Sequence, residues 1–236
     1  MTIELEPLTA WLWCLRTPIV QAYAVRERDG FNLIDTATAG QESQILQLLA
    51  SIDGRAADDV RLYEILLTHG HDDHTGSAAA LAARAGARVL APRVDAPIVA
   101  GEVPPPRPQL AEWERPLFDQ VTPNVPPAPP VKPDRLVDDG ETLGWQHDAR
   151  LIAVPGHTPG SIAAWFERDR TLAAGDAIAS HEGRPMVGVF NADPAAAVES
   201  FCRLAQLDSE LACFGHGEAV RTEAGARLKE AASALR

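Results

Sequence analysis

The hydrophobic pattern divides the chain into two passages, each running from strands to a helix. Ile19–Arg26 (IVQAYAVR) and Phe31–Asp35 (FNLID) are rich in β-formers and are separated by the turn signal Asp29-Gly30. Gln41–Ile52 places Ile45, Leu48, Leu49 and Ile52 at helical spacing. Arg61–Thr68 is a short apolar run suited to a buried strand, and the polar loop THGHDDHTG follows it. Ser77–Ala85 has the composition of a helix ended by Gly86, and Arg88–Ala91 reads as a strand. The second passage offers strands at Arg135–Val137, Thr142–Trp145, Arg150–Val154, Ser161–Phe166 and Thr171–Ala174, with PGHTPG and AGD as loops. Pro194–Leu207 carries Val198, Phe201, Cys202 and Ala205 on one helical face, with Asp193 as N-cap. Leu211–Phe214 is a last strand and Thr222–Arg236 a terminal helix. An α/β (α+β) sandwich of two mixed β-sheets flanked by helices fits this order better than a doubly wound parallel sheet.

Composition bounds the functional classes. The chain has 236 residues, of which 46% are hydrophobic and 23% charged, enough for one domain over 1–236 and too apolar for a disordered chain. The net charge of −12 disfavours a nucleic-acid partner. No apolar run approaches the roughly 18 residues of a membrane helix. The acidic start MTIELEPLTA lacks the apolar core of a signal peptide, so no membrane association and a cytoplasmic location are expected. Cys14, Cys202 and Cys213 read as core thiols. Trp11, Trp13 and Trp145 read as packing, and His147 as an exposed turn residue. Pro97–Pro133 holds 12 of the 19 prolines and is expected to be an insertion with no regular helix or central strand. Trp113, Leu117 and Phe118 inside it suggest a stiff wall over a cleft, with Trp113 and Phe118 touching substrate; a surface spacer and a homodimer face are the other uses of such a segment.

The chemistry is concentrated in His69-Gly70-His71-Asp72-Asp73-His74, directly after a strand. Residues two apart in extended chain point the same way, so His69 and His71 can clamp one ion. Asp73 and His74 follow where the chain turns toward a helix and face a second position, whereas Asp72 reads as a solvent residue. Such a density of ligands suits two metals rather than one. His157, Asp176 and His216 lie at strand ends with glycine beside them or one residue away, which allows close backbone approach. Imidazoles and carboxylates suit Zn²⁺, with Fe or Mn as other fits. Two such ions would hold a hydroxide able to attack a carbonyl, with Asp73 orienting it or moving its proton. His181 and Arg184 follow Asp176 in a loop that could reach substrate.

These motifs resemble the metallo-β-lactamase superfamily. H-x-H-x-D-H matches residues 69–74, LIDTA contains Asp35 of the first motif, PGHTPGS matches the third, GD the fourth and GHG the fifth. The resemblance implies an αββα sandwich with two metals at one edge of the sheets. It assigns His69, His71 and His157 to one metal, Asp73, His74 and His216 to the other, and Asp176 to both. Asp35 would brace the loop by hydrogen bonds without ligating. Only 20 residues follow His216, so the helical domain of two-domain glyoxalase II-type thioesterases is expected to be missing. The tyrosine that acyl-homoserine lactonases place after the bridging aspartate has no counterpart. Gly215-His216-Gly217-Glu218 departs from the G-H-D-Y of persulfide dioxygenases. The expected activity is glyoxalase II-like hydrolysis of a small ester, thioester or lactone at a dinuclear site. The alternative is a persulfide dioxygenase-like oxidoreductase with one iron on His69, His71, His157 and Asp176.

Overall fold

The computed structural model describes residues 2–235. One sheet has seven strands in chain order: β1 (Glu4–Pro7), β2 (Leu12–Arg16), β3 (Gln21–Glu27), β4 (Gly30–Ile34), β5 (Leu62–Leu66), β6 (Arg88–Pro92) and β7 (Arg135–Val137). Strands β1 to β4 pair antiparallel, and β4 to β7 pair parallel. The parallel part needs crossovers, which α1 (Glu42–Asp53) provides before β5, and the short α2 (Asp72–Thr75) and α3 (Ala78–Ala85) before β6. The second sheet holds β8 (Thr142–Leu143), β9 (Ala149–Ala153), β10 (Ile162–Phe166), β11 (Thr171–Ala173) and, beyond the hairpin β12 (Ile178–His181) and β13 (Arg184–Val187), β14 (Leu211–Cys213). Its order is β14-β11-β10-β9-β8, antiparallel except for the parallel β11–β14 pair.

Three apolar cores separate the four layers. Ile45, Leu46 and Leu49 of α1 and Leu81 of α3 pack with Ala22, Ala24, Leu33 and Ile65 on one face of the first sheet. Tyr23, Val25, Ile34 and Leu66 point to the opposite face, where they meet Leu151, Ile162, Phe166 and Cys213 of the second sheet. Phe201 and Leu204 of α6 (Pro194–Leu204) and Leu228 of α7 (Ala224–Ser233) cover the outer face of the second sheet. Alternation in β3 shows the cause: a strand buried on both faces has apolar residues at every position, and the period of two sends them to different cores. The expected αββα sandwich is therefore the observed one. Asp193 caps α6 by accepting from the amides of Ala195 and Ala196. Cys14 and Cys213 are buried, Cys202 is partly so, and all three are free thiols. No helix among the described residues is long and apolar enough to cross a membrane.

Several sequence expectations need correction. Leu12–Arg16 and Glu4–Pro7 extend the first sheet outward and lie outside the expected strands; in the edge strand β1, charged and exposed positions blur the alternation. Arg135–Val137 belongs to the first sheet, paired with β6, and not to the second passage. His181 and Arg184 lie in the β12–β13 hairpin, not in a loop. His147 is tucked in, stacked on Trp11 at 4.1 Å with Nδ1 2.9 Å from Asp169.

The Pro97–Pro133 segment also contains regular helix. A single turn, α4, covers Ala96–Val99, and α5 runs over Glu114–Val121. Pro116 falls in the first turn of α5, where its missing N–H would have had no intrahelical acceptor, so the helix tolerates it. The insertion is tied down through the backbone. Buried Glu114 accepts from the amides of Ala111 at 2.7 Å and Phe190 at 2.9 Å. Gln109 donates its backbone N–H to the carbonyl of Asn191 and its side-chain amide to that of Ala192. Asp72 accepts from the amide of Ala128. Phe118 stacks edge-on against Phe190 at 5.2 Å.

Replacing Glu114 by alanine leaves two amides without acceptors, at a cost of roughly 1–3 kcal/mol. Glu114→Ala is therefore expected to lower the midpoint of urea unfolding and to open 97–133 to limited proteolysis, with Glu114→Gln intermediate. Unchanged stability and protease resistance in the alanine variant would contradict this clamp.

Candidate metal centre

The donor residues stand at strand ends on one edge of the sandwich. Asp35 follows β4, the H-x-H-x-D-H loop follows β5, His157 follows β9, Asp176 follows β11 and His216 follows β14. These strands are parallel within each sheet, so their carboxyl ends share an edge. The two sheets are joined there by the amide of Ile162, which donates to the carbonyl of Thr68 at 2.9 Å.

Three imidazoles form the first donor set. His71 Nδ1 lies 3.0 Å from His69 Nε2 and 2.8 Å from His157 Nε2. His69 and His157 have their other ring nitrogen against an oxygen: His69 Nδ1 against Thr68 Oγ1 at 3.0 Å, and His157 Nδ1 against the carbonyl of Val189 at 3.0 Å. A proton on that outer nitrogen leaves the inner one as a lone pair, ready to ligate. Burial and the neighbouring imidazoles disfavour charge here. They push His69 well below the usual histidine range and His157 down to about 3, and burial also lowers His71.

Asp73, His74 and His216 form the second set. His74 Nδ1 donates to Asp35 at 2.8 Å, and His216 Nδ1 to the carbonyl of Ile19 at 2.5 Å. Asp73 Oδ2 lies 3.5 Å from His216 Nε2 and 3.8 Å from His74 Nε2. Burial opposes charge on these imidazoles too, but carboxylates outweigh it. Asp176, Asp73 and Asp35 raise His74 well above its ordinary value, and Asp176 and Asp73 lift His216 to about 9. Asp176 itself is held well below the carboxylate range, because His216 and His74 overcome its desolvation.

Asp176 lies between the sets. Its oxygens are 3.4 Å from His157 Nε2, 3.2 Å from His74 Nε2 and 3.0 Å from His216 Nε2. His74 Nε2 and Asp176 Oδ1 are fully buried yet have no hydrogen-bond partner. Orphaned buried donors and acceptors are costly, and a cation between them would satisfy both. The chemistry of the set, imidazole nitrogens and carboxylate oxygens, fits borderline divalent ions. Gly215 is required by this crowding: a Cβ there would collide with the Asp176 carboxylate and the His74 ring.

Asp35 stands outside the three donor groups. It accepts from the amide and hydroxyl of Thr68 and from His74, all at 2.8 Å, and adopts a left-handed backbone with φ 60°. Three supporting residues escaped sequence reasoning. Buried Asp95, after β6, accepts from the amides of Gly70 and Gly160 and the hydroxyl of Thr158, clasping the loops of His71 and His157. Tyr23 donates its hydroxyl to the carbonyl of Phe214 at 2.6 Å and accepts from its amide, fixing the chain two residues before His216. Thr68 links Asp35 to His69. An aspartate two residues before a proline, at the start of the helical turn α4, was the signal for Asp95; Tyr23, inside an apolar strand, gave none.

The donors open onto a cavity of about 460 Å³. Leu117, Phe118, Val121 and Val125 of the insertion line it, as do Ile19, Val189 and Phe190. Asp72 stands at this cavity rather than facing solvent alone. Trp113 is 59% exposed and lies away from it, beside Pro185, Met186 and Leu235. His181 and Arg184 are exposed at the hairpin tip and are not among its lining residues.

Comparison with known proteins agrees with this geometry. A profile of the metallo-beta-lactamase superfamily matches residues 16–216. The probable metallo-hydrolase YflN of Bacillus subtilis is 29% identical over 225 residues, covering 86% of this chain and 82% of that protein. A hydroxyacylglutathione hydrolase of Acidiphilium cryptum is 34% identical over 170 residues, which span 71% of this chain and only 55% of that enzyme. Among solved structures, a metallo-beta-lactamase from Pontibacter korlensis superposes with a TM-score of 0.71 at 17% identity over 99% of both chains. A metallo-beta-lactamase family protein from Thermus thermophilus gives 0.67 at 26% identity, over 97% of this chain and 79% of that one. With its five motifs gathered at one sheet edge and the profile match running through nearly all of it, the chain belongs to the metallo-beta-lactamase superfamily.

Proposed function

We propose that the protein is a dinuclear metallohydrolase of small esters, thioesters or lactones. The observation that carries this reading is the position of Asp176, with its carboxylate within 3.4 Å of imidazoles from both donor sets. His69, His71 and His157 would hold one divalent ion, Asp73, His74 and His216 the other, and Asp176 both. Zinc suits the donors best, with iron or manganese as other candidates. When bound, the ions supply Lewis acidity toward water and a carbonyl oxygen.

The chain's own groups do the rest. Asp73 Oδ2 faces the cavity beside His216, where it can orient a water and take its proton. The outer hydrogen bonds of His69, His74, His157 and His216 keep the donor nitrogens aimed without reorganisation. Leu117, Phe118 and Val121 shield one side from bulk water, which strengthens each electrostatic contact inside. The metallo-hydrolase and hydroxyacylglutathione hydrolase relatives support hydrolysis of an acyl bond.

Elemental analysis of zinc-loaded protein is expected to give close to two equivalents per chain. A stable content of one iron with no second ion would favour the oxidoreductase reading. Asp73→Ala is expected to keep the fold and to lower kcat/KM on an active ester or thioester by about 100- to 1,000-fold. Near-normal turnover in that variant at full metal content would contradict the role given to Asp73. Asp35→Ala frees His74 and Thr68 and should weaken zinc binding by about 10- to 100-fold in competition with a chelator. Wild-type affinity there would show that Asp35 supports the backbone only.

A further inference from the structure

The cavity combines two chemically different surfaces. The donor groups His71, Asp73, His157, Asp176 and His216 occupy one part of it. Apolar side chains occupy the remainder, chiefly Leu117, Phe118 and Val121 on one face of α5, Ile19 before β3, and Val189 and Phe190 after β13. Leu117 is 38% exposed, so the wall presents apolar surface to an open space. At about 460 Å³ that space matches a small organic ligand. Its hydrogen bonds to other parts of the chain, through Glu114, Gln109 and Asp72, give the wall a fixed shape.

The wall formed by Leu117, Phe118, Val121, Ile19, Val189 and Phe190 carries no charge. Among the described residues that line the cavity, none is lysine or arginine, and the carboxylates of Asp72, Asp73 and Asp176 are all acidic. Arg107, the nearest cation in sequence, stands between Pro106 and Pro108 but is exposed and is not itself part of the lining. An anionic arm laid along α5, away from the donor groups, would lose water, meet no lysine or arginine and approach a chain of net charge −12. An alkyl or aryl arm in the same place buries its surface against Leu117, Phe118 and Val121 at no such cost.

We propose that this wall is an acyl-binding surface selecting uncharged substrates with an apolar arm, alkanoyl or aryl-alkanoyl, over substrates whose arm carries a carboxylate or sulfonate. The proposal rests on the hydrolase reading for the reaction and on the cavity alone for the selectivity.

Selectivity can be measured without turnover. Hexananilide and its counterpart with a terminal sulfonate, a feeble metal ligand, are titrated into the zinc-loaded protein by calorimetry. The neutral anilide is expected to bind about 30-fold more tightly, and Val121→Lys to narrow that gap about tenfold. Equal or tighter binding of the sulfonate, or no measurable binding of either compound at millimolar concentration, overturns the proposal. So does sulfonate binding that depends on Arg107, read from Arg107→Ala. The two corresponding phenyl esters are assayed in parallel. Preferential binding of the anilide without turnover of any ester, thioester or lactone supports the acyl surface and overturns the hydrolase reading. Turnover of both esters at equal kcat/KM does the reverse.

Discussion

One buried carboxylate holds the centre in register. Asp35 accepts only, so the Thr68 hydroxyl and the His74 ring must both donate to it. That choice settles the protons beyond them. With its hydrogen committed to Asp35, the Thr68 hydroxyl accepts from His69 Nδ1, and His69, which burial keeps neutral, then presents an unprotonated Nε2 inward. The backbone of the same threonine reaches the other sheet, since its carbonyl receives the amide of Ile162. A left-handed backbone at Asp35, tolerable for an aspartate, is the local cost of placing this acceptor between two parallel strands.

From that anchor the two donor sets acquire different electrostatic characters. Three imidazoles that resist protonation face two imidazoles that carboxylates draw toward it, and Asp176 borders both groups. The insertion closes one side, and its attachments reach the same loops that carry the donors. Asp72, next to Asp73, holds Ala128, while the segment that receives Glu114 and Gln109 includes Val189, whose carbonyl supports His157. The apolar wall and the polar centre are therefore braced by shared backbone.

Much of this was legible in the chain. Short motifs pointed to the residues that cluster as candidate donors, because ligating chemistry restricts residue type severely and two-residue spacing in extended chain is a geometric statement. The interior strands β3 and β10 were legible because burial on both faces leaves apolar runs, and β5 and β9 because most of their positions are buried and apolar. The edge strand β1 was hidden by its charged and exposed positions, and the sheet to which β7 belongs was hidden because strand pairing is a non-local property. In the insertion, proline density masked α5, since a proline in the first turn of a helix is harmless while one in its middle is not. Trp113 and Phe118 looked equivalent in sequence, yet five residues along α5 and its approach put them on different faces. Asp95 and Tyr23 act through hydrogen bonds to groups distant in sequence, Asp95 through three and Tyr23 through two, a role that residue type alone does not announce.

The division of the donors between the sheets ties ligation to folding. Asp35 and residues 69–74 travel with the seven-stranded sheet, whereas His157, Asp176 and His216 travel with the other. Neither half carries a complete centre, so the donors meet only when the apolar core between the sheets has closed. An ion that binds the assembled centre and not the separated halves adds its binding free energy to the docking of the sheets, by mass action. Ion binding and cohesion of the sandwich are thus linked, and a substitution deep between the sheets, far from any donor, weakens the apparent affinity once it leaves an appreciable fraction of the sheets apart.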